Sequence, residues 1–135
     1  MNHIRFDWDK EKNSANQKKH GISFEEAQSV FVDENALMIH DPDHSGDEDR
    51  FILLGLSSAL RLLVVSHTYR EGDDIIRLIS ARKATSLERA QYDRRWRLMR
   101  KQYDFSKARR NPYAKRLKKQ VTSRRRLTMN WRPAA

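Results

Sequence analysis

Apolar positions recur in two different periods over the first ninety or so residues, and the predicted elements follow from where one period gives way to the other. Ser23 and Glu26 form a capping pair ahead of Phe24, Ala27, Val30 and Phe31, whose three- and four-residue spacing predicts a helix of at most three turns. Before it, DKEKNSANQKKH (residues 9–20) is almost wholly polar, but Asp7 or Asp9 can cap a helix there and Gly21 can end it. With so little apolar face, this helix must lean on the domain through Trp8 and Ala15. Leu37, Met38 and Ile39 read as a strand, and HDPDHSGDED (40–49) as an acidic loop turned by Pro42 and Gly46. Arg50 to Leu56, Leu62 to Tyr69 and Ile75 to Arg82 then make three strands with short connections, an antiparallel meander. Thr85 and Glu88 form a capping box that starts a helix running through Leu87, Ala90 and Tyr92 towards Leu98. The pattern predicts an α+β fold, with two N-terminal helices on a four-stranded antiparallel sheet and a closing C-terminal helix.

Charge divides the chain in the same place as the periodicity. The 135 residues carry a net charge of +10. Residues 94–135 hold 16 Lys or Arg and one acid, whereas residues 1–93 hold 12 Lys or Arg against 17 acids. The domain expected over 1–93 is therefore mildly acidic, and any cation that acts there must do so by position. The segment 94–135 has scattered apolar residues, Pro112 and Pro133, and no periodic stripe; it is expected to be a disordered basic tail. The chain has no Cys, which removes disulfides and thiolate chemistry. No run approaches membrane-spanning length and the start has no apolar leader, so a cytoplasmic protein is expected.

Candidate chemistry concentrates in IIRLISARKATSLER, residues 75–89. Simple alternation puts Arg77 and Arg82 on opposite faces of the strand, with Ser80 on the side of Arg82. Arg82 and Lys83 end the strand just before a helix start, so a phosphate there would also meet helix amides. Lys12, Asn16, Lys19 and His20 fall at helical spacing on one side of the first helix. Each has a structural alternative. His20 before Gly21 suits a helix C-terminus, Arg77 can pair with Asp7 or Glu88, and Trp8 can serve as a core lid. The His and Asp residues of the 40–49 loop lack a disciplined metal spacing, and no metal or cofactor is expected.

Two stretches carry a family resemblance. One is F-x-W-D-x-x-K-x-x-x-N-x-x-K-H-G-x-S-F-E-E-A-x-x-V-F, from Phe6 to Phe31; the other is I-R-x-I-S-A-R-x-A-x-x-x-E-R-x-x-Y, from Ile76 to Tyr92. Together they resemble the BrnT family of bacterial ribonuclease toxins, over about residues 6–92. The resemblance implies a RelE-like fold, metal-independent endoribonuclease activity on mRNA that inhibits translation and growth, and neutralisation by a ribbon-helix-helix antitoxin (BrnA-like) whose complex binds operator DNA. It also draws attention to Glu48 and Arg50, the Glu and Arg at the start of the family's long hairpin.

RNA is cut without metal when its own 2′-hydroxyl attacks the neighbouring phosphate, which needs proton transfers and stabilisation of charge on phosphorus. Arg50, Arg77 and Arg82 would grip phosphate, Lys12, Lys19, His20 and Glu48 would move protons or orient groups, and Trp8 and Lys83 would contact RNA. The competing reading is a noncatalytic toxin-derived module that binds antitoxin and operator DNA. From Met99, MRKQYDFSKARRNPYAKRLKKQVT resembles the opening of a ribbon-helix-helix antitoxin, as if the reading frame had run into a neighbour. Such a tail could also mask the domain's phosphate site in cis.

Overall fold

The computed structural model describes residues 3–41, 49–70, 72, 74–93, 105 and 108–125, with side chains to residue 120. Among these residues, six strands form one mixed sheet in the order β1-β5-β4-β3-β2-β6. They are β1 (Arg5–Asp7), β2 (Leu37–His40), β3 (Arg50–Leu56), β4 (Leu62–Arg70), β5 (Ile75–Lys83) and β6 (Arg109–Arg110). The β2–β5 meander is antiparallel as expected. The expectation of four antiparallel strands needs correcting at both edges. β1, short and easily missed, runs parallel to β5, and β6 adds to the outer side of β2.

Among the described residues four α-helices accompany the sheet: α1 (Lys10–His20), α2 (Phe24–Ser29), α3 (Ser86–Tyr92) and α4 (Ala114–Arg125). Their ends obey local rules. Asp9 accepts from the amides of Glu11 and Lys12, and Gly21 closes α1 at φ 73°, a left-handed conformation that side chains disfavour. Ser23 caps α2, which tightens into a 3-10 turn over Val30–Val32. At α3 both halves of the Thr85–Glu88 capping box are present.

Each face of the sheet carries its own core. On one, Phe24, Ala27, Val30 and Phe31 of the α2 region meet Met38, Leu53, Leu63, Val65, Leu78 and Ala81. On the other, α3 and its flanks place Ala84 and Tyr92 over Leu37, Ile52, Leu54, Leu62 and Val64. Strand alternation serves both cores, which is why β3 and β4 read as nearly continuous apolar runs.

Two further expectations change. α1 does not lean on Ala15, which is exposed; its one buried residue is Asn16. The segment expected to be disordered is ordered over 108–120. Tyr113, Ala114 and Leu117 are buried, with Tyr113 and Leu117 in the α2-side core, and Phe105 is buried in the other. A few anchors at the right places meet a preformed surface, so no periodic stripe within the segment was needed.

Candidate functional site

Position along β5 decides which cations meet. β1 covers the outer edge of β5 only from Ile75 to Arg77. Beyond that, the Asn16 side chain takes the place of a strand. Its Oδ1 accepts from the Ala81 amide at 3.1 Å and its Nδ2 donates to the Ala81 carbonyl at 2.8 Å. Nδ2 also donates to the Ile22 carbonyl at 2.9 Å, so one buried amide ties α1, the following turn and β5 together. One helical turn after Asn16 comes His20, and one residue after Ala81 comes Arg82. Lys19, His20, Arg82, Lys83 and Thr85 accordingly line one open pocket of about 470 Å³, within the size range of small-ligand clefts.

Arg82 is held in place rather than loose. Its guanidinium grips Glu88 with two hydrogen bonds, 2.8 and 2.9 Å, and donates to the Lys83 carbonyl at 3.2 Å. Glu88 is fully buried, and Arg82 keeps a side-chain exposure of 30%. Burial, the largest influence on Glu88, pushes its carboxyl up, but Arg82 and the Thr85 amide together outweigh it and hold the carboxyl below its ordinary range. The same capping box limits the anion site expected at α3. The Thr85 amide is already given to Glu88, and the Glu88 amide to the Thr85 hydroxyl. Side-chain cations, more than helix amides, must therefore receive a phosphate here.

The predicted opposition of Arg77 and Arg82 is also corrected. Ser66 pairs with Ser80 but His67 pairs with Leu78, so Ile79 is an extra residue in a bulge. Arg77 pairs with Thr68 and Arg82 with Val64, positions four apart on β4, which puts both arginines on one face. Ser66 and Ser80 lie between them on that face. Arg77 forms an ion pair with Asp7, one of the two acids proposed for it; the other, Glu88, belongs to Arg82. Arg50 pairs across the sheet with Thr68 and so falls in the same cross-strand row. A second cleft opens there, lined by Asp7, Asp49, Thr68, Tyr69, Arg70, Ile75 and Arg77. The sheet face thus carries a polar track from Arg50 and Arg77, past the two serines, to Arg82.

The remaining candidates are more dispersed. Lys12 is exposed on the early part of α1 and lines neither cleft. Trp8 packs edge-on against Phe24 at 6.1 Å between ring centres, beside the α2-side core, as a lid would. Glu48, with the rest of residues 42–48, lies outside the described residues. The sequence places Asn16 on the His20 side of α1 and offers Glu88 as a helix cap or a partner of Arg77, but their roles in positioning His20 and Arg82 emerge only in the structure. A buried Asn in an otherwise polar helix gives no periodic signal. The proposed masking of the phosphate site is not seen among the described residues, since neither residue 105 nor any of 108–120 lines the pocket of His20 and Arg82.

A crystal structure of the Brucella abortus ribonuclease toxin, BrnT, is similar to this chain at 22% sequence identity and a TM-score of 0.46, covering 62% of this chain and 99% of its own. No curated protein sequence matches the chain. The family model described as ribonuclease toxin, BrnT, of type II toxin–antitoxin systems matches residues 8–88, more than half of the chain, a span that includes α1, the whole meander, His20, Arg82 and Glu88. The chain belongs to the BrnT family of ribonuclease toxins of type II toxin–antitoxin systems.

Proposed function

We propose that this toxin is an endoribonuclease that cuts mRNA without a metal ion and that a ribbon-helix-helix antitoxin neutralises it. The observation that carries this reading is the pocket in which His20 and Lys19, from the end of α1, face Arg82 and Lys83, from the end of β5. In the proposed step the 2′-hydroxyl oxygen bonds to the adjacent phosphorus and the bond from phosphorus to the 5′-oxygen breaks. The hydroxyl proton passes to a base, and the leaving oxygen receives a proton from an acid. His20 performs one of these transfers, because imidazole both accepts and donates near neutral pH. Arg82, fixed by Glu88, stabilises the charge that builds on the phosphoryl oxygens, with Lys83 and Lys19 beside it. A lining of three cations and no carboxylate favours an anion over a divalent cation, which supports the metal-independent route.

Arg50 and Arg77 bind neighbouring phosphates along the polar track, and Trp8, half-buried beside Phe24, contacts a base. Lys12 and Glu48 act as orienting groups. Cytoplasmic action follows from an mRNA substrate; among the described residues no helix is long and apolar enough to cross a membrane.

Full-length protein incubated with single-stranded RNA and a chelator tests the reading. Expected is cleavage that leaves 2′,3′-cyclic phosphate ends, reduced by about 10²-fold or more in His20→Ala, as loss of a general acid or base produces, with an unchanged melting temperature. Cleavage that returns only on adding magnesium overturns metal independence. No cleavage under either condition favours the noncatalytic module that binds antitoxin and operator DNA.

A further inference from the structure

The described part of the C-terminal segment is held by the domain at every anchor, and the anchors come from distant parts of the chain. β6 extends the sheet by pairing Arg109 with Met38 and Arg110 with Leu37, and the Asn111 amide donates to the Ala36 carbonyl at 2.9 Å. The Asn111 side chain donates to the Phe31 and Asp33 carbonyls. Tyr113 inserts against Phe31, and its hydroxyl lies 3.0 Å from His67 Nε2 in the core. On α4, Gln120 exchanges two hydrogen bonds with the backbone of Ile4, at 2.9 and 3.0 Å. Arg116 pairs with Asp74 at 3.0 Å and Lys118 with Glu34 at 2.9 Å.

These contacts share a logic. A bare β2 edge would leave backbone donors and acceptors open to any passing strand, and the Phe31–His67 surface would be an exposed apolar patch. In this chain residues 108–120 cover both, and the match to the family model ends at residue 88, before every residue that provides the cover. The cover is basic and the body it lies on is acidic: six Lys or Arg and no acid in 108–120, against 12 cations and 17 acids in 1–93.

We infer that the β2 edge and the adjoining Phe31–His67–Asp74 surface form the domain's docking site for the antitoxin, and that residues 108–120 occupy this site in cis. The occupant it fits is a polypeptide with a short cationic strand, an Asn-Pro-Tyr turn and a basic helix with Leu four residues after the Tyr. The strand adds to the sheet edge, the Tyr and Leu fill the apolar surface, and the cations meet Asp74 and Glu34. This deepens the partner reading above and rests on the family's pairing with an antitoxin. It is separate from RNA cleavage, because the occupied face lies across the sheet from the arginine track.

Binding of a labelled synthetic peptide of residues 105–125 tests the inference. The full chain carrying Tyr113→Ala and Leu117→Ser has its own segment loosened and should bind the peptide at least about tenfold more tightly than the wild type, since it no longer pays for displacing the resident copy. A scrambled peptide of equal charge should bind neither. Because the double variant could fail to fold, a second arm uses the wild-type chain with a protease site inserted between residues 99 and 100. After cleavage the segment should stay bound and exchange with added peptide. Equal binding of the scrambled peptide, or no exchange in the cleaved chain, overturns the inference. A cleaved chain that instead doubles in mass assigns the surface to a second copy and overturns it as well. None of these readouts depends on nuclease activity, so either proposal can fail without the other.

Discussion

Asn16 shows how one side chain can set the geometry of a site that it does not enter. With three hydrogen bonds to Ile22 and Ala81 and almost no exposure, its replacement by Ala should cost about 2–3 kcal/mol, because buried partners are left unsatisfied. The same variant should lose RNA cleavage beyond what stability explains, since His20 would no longer be registered against Arg82; comparing cleavage well below the melting temperature separates the two effects. Gly55 is constrained differently. A Cβ there would lie 2.7 Å from that of Ala36 and 2.8 Å from Val30 Cγ1, so Gly55→Ala should destabilise by about 1–3 kcal/mol in urea titrations.

His67 gives a pH signature. Burial pushes its pKa down to about 3, against a weaker opposing pull from the Val65 carbonyl. The unfolded imidazole takes up a proton below about pH 6.5 and the folded one does not, so the stability present above that pH falls as the pH drops, by about 1.4 kcal/mol per unit. Unfolding free energies measured at pH 7.5 and pH 5 should differ by about 2 kcal/mol from this group, and His67→Gln should remove that difference. Glu26, Asp74 and Glu88, all held below their ordinary values, add their own losses only at lower pH.

At the scale of elements, what was legible in the sequence was whatever is decided locally. Asp9, Gly21, Ser23 and the Thr85–Glu88 box announce helix ends through short-range hydrogen bonds, and the structure places those ends accordingly. Gly21→Ala should cost about 1 kcal/mol through its left-handed backbone alone, as there is nothing within 4 Å for the new methyl to meet. Thr85→Ala should remove a comparable amount, about 1 kcal/mol, and shorten α3, which circular dichroism and thermal unfolding would report. Less legible were features fixed by a distant partner. The bulge at Ile79 depends on how β4 is matched to β5, and no alternation in IIRLISARK reveals it. The same holds for the grip of Arg82 on Glu88, which sequence spacing left open as a partner for Arg77.

Across the whole molecule, a composition beyond residue 93 that favours disorder is compatible with an ordered, packed stretch over 108–120. Tyr113, Leu117 and Gln120 become ordered because Phe31, His67 and Ile4 already stand where they are needed. A hydrophobic count taken within the segment cannot register a surface supplied from outside it. The site was legible in part for the opposite reason. His20, Arg82 and Lys83 sit at element ends whose positions were readable, so their meeting follows once α1 is laid along the edge of β5.

The bulge in β5 has a bearing on how much length variation this strand can absorb. Because Ile79 is the surplus residue, a chain shortened by that residue would keep Ser80, Ala81 and Arg82 opposite Ser66, Val65 and Val64, and would forfeit only a local bend. Pairing Ile79 with Ser66 in the full-length strand would instead turn Arg82 inward, among the apolar side chains beneath α2.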